Sequence, residues 1–259
     1  MIGAILQARV SSSRLPGKVL KPILERPMLV RQIERISRAR RFDRLIVATS
    51  TDSDDDAIEA LCQALGVNVY RGPLDDVLAR YHGAAGAFGC DHIVRLTGDC
   101  PLADPTLIDD LIELHLDGRF DYSSTGIEPS FPDGLDAEIM TRAALETAHA
   151  QARLPSEREH VTLFLYEHPA DFRIGSLTGG RDLSHLRWTV DEPEDFTFVT
   201  RVYEALYPSD PGFGTDDILA LLDRQPELAQ INARFERNEG LRRSRQRDQA
   251  FLATGGERR

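Results

Sequence analysis

Short apolar runs alternate with longer amphipathic stretches through the first half of the chain. Residues 2–8 form an apolar, β-branched run, and a Ser/Gly/Pro-bearing stretch follows to Lys18, a pattern that predicts a strand and then a loop. Pro27 stands where a helix begins, and Leu29, Ile33 and Ile36 continue at helical spacing. Residues 44–49 predict a second buried strand. Ser53 is placed to cap the next helix, with Asp54, Asp55 and Asp56 in its first turn and Gly66 as its stop. A third strand over 67–70, a helix over 75–88, a fourth strand over 92–97 and a helix over 105–116 complete this series.

After Phe120 the rhythm changes. Residues 131–138 read as a loop entering a strand, 142–152 and 157–167 as helices, and 172–177 and 186–190 as strands. Pro193 suits the first position of a helix running to about residue 207, and two shorter helices follow. Strands alternating with helices of this length predict βαβ units on a mainly parallel sheet, hence a three-layer α/β/α, Rossmann-like architecture. Residues 1–231 are expected to form one domain, with 120–170 a candidate insertion for dimerisation or acceptor binding. Residues 232–259 hold eight arginines against four acids and read as a basic, solvated tail or a docking arm.

Composition narrows the function. With 259 residues the chain can bury a sizeable core unaided, and its net charge of -11 argues against a nucleic-acid partner, which needs a basic face. Three cysteines without a CxxC pair predict buried thiols rather than disulfides or a zinc site. No apolar run is long enough to span a bilayer, so no membrane partner is expected and a cytoplasmic location is. Of 31 basic residues only Lys18 and Lys21 are lysines, and both fall in the loop after the first strand. An ammonium is a compact point charge suited to a phosphate oxygen.

Ligands of open α/β sheets sit beyond the carboxyl ends of the strands. Three polar groups fall there: the loop from Gln7 to Lys21, with Arg9, three serines, Arg14 and Lys18; Gly98-Asp99 after the fourth strand; and Asp191 after the 186–190 run. The loop fits neither GxxxxGK[ST] nor GxGxxG. Its amides and cations suit a polyphosphate, while Asp99 and Asp191 suit Mg²⁺, which takes one or two carboxylates plus phosphate oxygens. Together they point to chemistry at phosphorus. Among the seven scattered histidines, His160 is the candidate for a functional role.

The stretch from Ala4 to Arg9 with Ser13-Arg14-Leu15-Pro16-Gly17-Lys18 resembles the nucleotide-binding signature of bacterial sugar-acid cytidylyltransferases. These include the CMP-Kdo and acylneuraminate enzymes and, more closely, the SpsF-like proteins of spore-coat polysaccharide biosynthesis. Residues 47–52, 70–81, 95–102, 131–138, 158–161 and 187–195 carry further matches, and the similarity runs over about 1–207. The resemblance implies a nucleotide-diphospho-sugar transferase fold and a Mg²⁺-dependent transfer of CMP from CTP to an anionic, sugar-like acceptor in polysaccharide biosynthesis, with release of pyrophosphate. Arg14, Lys18, Asp99 and Asp191 are the expected catalytic set, with Mg²⁺ on Asp99 and Asp191.

Gln7, Arg9, Ser13, Arg14, Lys18, Asp76, Arg80, Thr97 and Gly98 are the expected nucleotide contacts, with Lys21 a further candidate for the triphosphate. Asp136, Glu138, Arg158 and His160 are the acceptor-side candidates. The resemblance also implies a homodimer. An SGTDR-type stretch of the Kdo enzymes is replaced here by Arg71-Gly72-Pro73-Leu74-Asp75, which leaves the acceptor open among a nonulosonic acid, another acidic sugar and a smaller phosphorylated acid. The competing readings are a glycosyltransferase, whose DxD motif has one match at Asp52-Ser53-Asp54, and a non-catalytic nucleotide-binding protein.

Overall fold

The computed structural model describes residues 1–237 and 239–253. Its centre is a seven-stranded sheet built from β1 (Ile2–Gln7), β4 (Arg44–Ser50), β5 (Asn68–Gly72), β6 (His92–Thr97), β7 (Tyr122–Ser124), β8 (Glu138–Thr141) and β9 (Ile174–Ser176), in the order β5-β4-β1-β6-β8-β7-β9. A small hairpin of β2 (Pro22–Ile23) and β3 (Arg26–Pro27) lies apart. The first four sheet strands are all parallel, whereas β8 runs antiparallel to both β6 and β7, and β9 is parallel to β7. The sheet is thus mainly parallel, with its departure after residue 120.

The strands alternate between two cores, as a period of two requires. Ala4, Leu6, Val47, Val94 and Leu96 face one side, under α1 (Met28–Ile36), α2 (Asp56–Leu65), α4 (Pro105–Gly118), α8 (Pro193–Leu206) and α9 (Thr215–Arg224). Ile5, Ile46, Ala48 and Ile93 face the other, under α3 (Val77–Ala87), α5 (Arg142–Gln151) and α7 (Leu163–Glu167). Two sheet faces, each covered by helices, give the three layers.

Four local expectations are corrected. Residues 186–190 are extended but form no strand: the amides of Trp188 and Thr189 bond to the Asp133 carbonyl and that of Val190 to the Asp99 carbonyl, so the segment pairs with loops. The 157–167 helix is two helices, α6 (Pro155–His160) and α7, parted by Val161 at φ 57°. Ser53 opens a 3-10 turn, Ser53–Asp55, whose N-cap is Asp52. The basic tail is not simply solvated. After the short α10 (Glu227–Gln230), residues 239–253 form α11 (Glu239–Ala253), packed on α6; residues 254–259 of the expected tail lie outside the described residues.

Polar pairing explains why a helix of low hydrophobicity docks. Asp248 accepts from the Ser156 amide at 2.9 Å and its hydroxyl at 2.6 Å, capping α6, while Ser244 donates to Glu159 and meets His160 Nε2 at 2.9 Å.

Candidate active site

The carboxyl ends of β1 and β6 lie side by side, with Gln7 opposite Thr97, and a cleft of about 1030 Å³ opens above them. Every sequence-predicted nucleotide, acceptor and metal residue lines it; Lys21 does not, and its ammonium lies 6.0 Å from the Phe196 ring. The Asp52-Ser53-Asp54 run is also outside the cleft lining.

Local chemistry sets the loop after β1. Asp55, 1% exposed, accepts from the Val10 amide at 2.7 Å and from the Ser50 amide and hydroxyl, tying the loop to the end of β4. Burial pushes the Asp55 carboxyl up, but the bonds from Ser50 and Val10 outweigh it and hold the group below the ordinary carboxylate range. Gly17, at φ 69°, bonds back to the Val10 carbonyl and opens the 3-10 turn Lys18–Leu20, which aims Lys18 inward. At Gly98 a Cβ would stand 2.8 Å from the Gln7 carbonyl oxygen, so glycine is what lets β6 turn against β1 there.

Lys18 holds the centre. Its Nζ donates to the Val190 carbonyl at 2.7 Å and to Asp191 Oδ1 at 2.9 Å, and lies 3.6 Å from Asp99 Oδ2. Burial lowers the Lys18 pKa, but the charges of Asp99 and Asp191 outweigh burial and leave it above its ordinary value. Asp99 is held low in turn: burial raises it, and Lys18 and the Thr97 hydroxyl overcome that. Arg14 closes the other side of Asp191 at 2.8 Å and reaches Glu192 at 3.3 Å and Glu239, at the start of α11, at 3.6 Å. Arg9 is exposed and has no ion-pair partner among the described residues.

Asp191 is itself positioned. Asp195, fully buried, accepts from the amides of Asp191 and Glu192 at 2.9 Å and takes a two-pronged pair from Arg187 Nε and Nη2. Arg187 also reaches Asp133 at 3.0 Å. Burial and the neighbouring Asp136 raise the Asp133 carboxyl against the pull of Arg237 and Arg187. Gly134, at φ 109°, lets this turn press on Thr189, whose amide nitrogen an added Cβ would meet at 2.4 Å.

On the acceptor side, Arg158 pairs with Asp76, which also caps α3 through the Ala79 amide. One residue expected on the nucleotide and one expected on the acceptor are therefore partners, and the two halves of the cleft adjoin. Arg80 donates to the carbonyls of Pro73 and Leu74. Asp136 pairs with Arg237, and Glu138 with Arg95, while Tyr122 Oη and Thr162 Oγ1 both donate to Glu138. Arg95, Asp133, Arg187, Arg237 and Glu239 were missing from the predicted set. Three of them sit inside the motifs at 95–102, 131–138 and 187–195, which was the available signal.

A divalent cation fits one place. Asp99 and Asp191 already converge on a single positive charge, the Lys18 ammonium, and hard carboxylate oxygens are what Mg²⁺ takes. Among the described residues no group of three or more His, Cys, Asp or Glu side chains is placed to hold a metal, so a cation on Asp99 and Asp191 would take its other oxygens from ligand and water. Cys100 beside Asp99 is buried, which raises its thiol far above the ordinary value and keeps it protonated.

A cleft at the carboxyl ends of a parallel sheet, with a cationic loop facing Asp99 just past β6 and Asp191 just before α8, defines a nucleotidyltransferase. The chain belongs to the cytidylyltransferase family, whose profile matches residues 3–241. It is 33% identical to the spore coat polysaccharide biosynthesis protein SpsF of Bacillus subtilis, over 87% of this chain and 95% of that one. It is 32% identical to a 3-deoxy-manno-octulosonate cytidylyltransferase of Acinetobacter baumannii, over 60% of this chain and 64% of that one. Among solved structures, a cytidylyltransferase from Leptospira borgpetersenii serovar Hardjo-bovis superposes with a TM-score of 0.85 at 32% identity, covering 91% of this chain and 99% of that chain. Among the described residues no helix is long and apolar enough to cross a membrane.

Proposed function

We propose that this cytidylyltransferase transfers CMP from CTP to an oxygen of an acidic sugar, for polysaccharide assembly in the cytoplasm, and that it requires Mg²⁺. A bond forms between the acceptor oxygen and the α-phosphorus, the bond from that phosphorus to the bridging oxygen breaks, and pyrophosphate leaves. Arg14, Lys18 and the exposed Arg9 bind the triphosphate, and Asp99 and Asp191 hold Mg²⁺, which when bound neutralises phosphate charge. The Asp195–Arg187 pair keeps Asp191 in place. Asp76 and Arg80 border the nucleoside, and the chamber of Arg95, Glu138 and His160 takes the acceptor. The names of the relatives support an acidic sugar and a polysaccharide pathway. A homodimer through residues 120–170 belongs to the same reading, and sedimentation of the purified chain tests it.

The observation that carries this reading is the Lys18 ammonium set between Asp99 and Asp191, 3.6 and 2.9 Å away respectively. Carboxylates and phosphate-binding cations share one point, as transfer at phosphorus requires. Thermal unfolding with CTP, UTP, ATP and GTP, each with Mg²⁺ or with EDTA, tests it. CTP with Mg²⁺ at about 100 times its Kd stabilises by roughly 2.7 kcal/mol, and EDTA abolishes the shift. A shift with UTP or a nucleotide-sugar in place of CTP would overturn the assignment.

A further inference from the structure

The cleft contains a guanidinium paired to Glu138 that the protein leaves mostly unused. Arg95 and Glu138 are paired at the floor, with side chains 13% and 12% exposed. Glu138 is saturated: Tyr122 Oη and Thr162 Oγ1 donate to one oxygen at 2.5 and 2.6 Å, and Arg95 Nη1 to the other. A carboxylate held by three donors is fixed in orientation, so Glu138 serves to orient Arg95.

Arg95 itself is not saturated. Arg158 and Arg187 each bond through all three side-chain nitrogens, whereas Arg95 uses Nη1 alone among the described residues. Its Nε is buried without a partner, and its ring-ward face lies 5.9 Å from the Tyr81 centroid. Buried polar donors are rarely left unmatched in a finished site. Arg95 stands on β6, four residues before Asp99, and both line the same cleft. The guanidinium fork matches a carboxylate in two parallel hydrogen bonds. Gly240, Leu241 and Arg247 of α11, a helix that extends past the family match at residue 241, line the same cleft.

We propose that Arg95, oriented by Glu138, binds the carboxylate of the sugar-acid acceptor and so determines acceptor specificity. This rests on the cytidylyltransferase reading above. The test uses the full chain with CTP and Mg²⁺ and three acids as probes: D-glucuronate, Kdo and N-acetylneuraminate. D-glucose and glucose 6-phosphate are the neutral and phosphate counterparts, and thermal stability and pyrophosphate release are the readouts. At least one acid adds stabilisation beyond CTP. In Arg95→Gln its affinity falls about ten- to hundredfold, the loss of a charge-assisted hydrogen bond, while CTP affinity is kept.

Should Arg95→Gln unfold because Glu138 is left unpaired, the double variant Arg95→Gln, Glu138→Gln removes both charges and gives the same reading. The assignment is overturned if no acid acts on the wild type, if only glucose 6-phosphate does, or if the variant keeps acid affinity. Absence of any CTP effect would instead sink the nucleotide assignment, a separate failure.

Discussion

Lys18→Met is the most informative substitution, because it removes a charge and keeps the length of the side chain. Lys18 is 11% exposed at its side chain, and its neighbours Asp99 and Asp191 are 29% and 21% exposed. Removing one member of a fully buried ion pair costs about 3–5 kcal/mol, because the survivor is left uncompensated. Here water reaches both carboxylates in part, so the expected loss is about 2 kcal/mol. For a chain of this size that is roughly 4–8 °C in Tm. A second effect has the opposite sign. On the proposed reading Mg²⁺ must displace the ammonium from Asp99 and Asp191 in the wild type, whereas in Lys18→Met that competitor is gone and Asp191 keeps only its arginine partners. Millimolar Mg²⁺ without nucleotide should therefore raise the Tm of the variant more than that of the wild type, while CTP binds the variant about tenfold more weakly for want of a phosphate partner. Scanning calorimetry with and without Mg²⁺ measures both. Equal Tm values with equal Mg²⁺ responses would refute the idea that Lys18 is the internal counter-ion of the metal site.

Two further outcomes follow from buried polar groups. His115 is fully buried between His92 and Ser123, and burial first, then His92, lowers its pKa to about 4, so it folds neutral; its stabilising effect is complete above about pH 6.5 and is lost as pH falls toward 4, by roughly 3 kcal/mol. Urea midpoints of wild type and His115→Gln between pH 7 and pH 4 check this, and equal slopes would contradict it. Asp248→Ala removes the clasp of α11 on α6 and should cost about 1–3 kcal/mol locally, seen as faster hydrogen exchange over 239–253. Unchanged exchange there would show that other contacts hold the helix.

The first 118 residues were legible because each strand and helix is a local, strongly patterned unit. Past Phe120, tertiary partners decide. Leu186-Arg187-Trp188-Thr189-Val190 has the alternation of a strand, yet its amides are claimed by the carbonyls of Asp133 and Asp99, so the same pattern serves a loop-to-loop seam. Val161 breaks a helical run with a positive φ that no propensity would assign to a β-branched residue. In α11 the buried side chains are polar, Ser244 and Asp248, which composition reads as solvent-facing. Asp99, Asp191 and the lysine in the loop stand out against their background. Arg95, Arg187 and Arg237 did not, because 29 of the 31 cations are arginines and one more carries no contrast.

The pairing of the cleft resolves how a chain of net charge -11 can take up a polyphosphate. An exposed cluster of free cations would attract anions of every kind and repel one another. Here Lys18 and Arg14 are neutralised in advance by Asp99, Asp191 and Glu192, so the resting cleft stores little uncompensated charge. On the proposed reading, nucleotide and Mg²⁺ arrive as a matched set: the phosphates take the cations and the metal takes the carboxylates. Neither exchange is favourable alone, since the phosphates would leave Asp99 and Asp191 without the Lys18 charge and the metal would leave Lys18 without a carboxylate. Binding of one is then coupled to binding of the other through Lys18, and the coupling should vanish in Lys18→Met while the fold and the Asp195–Arg187 support of Asp191 persist.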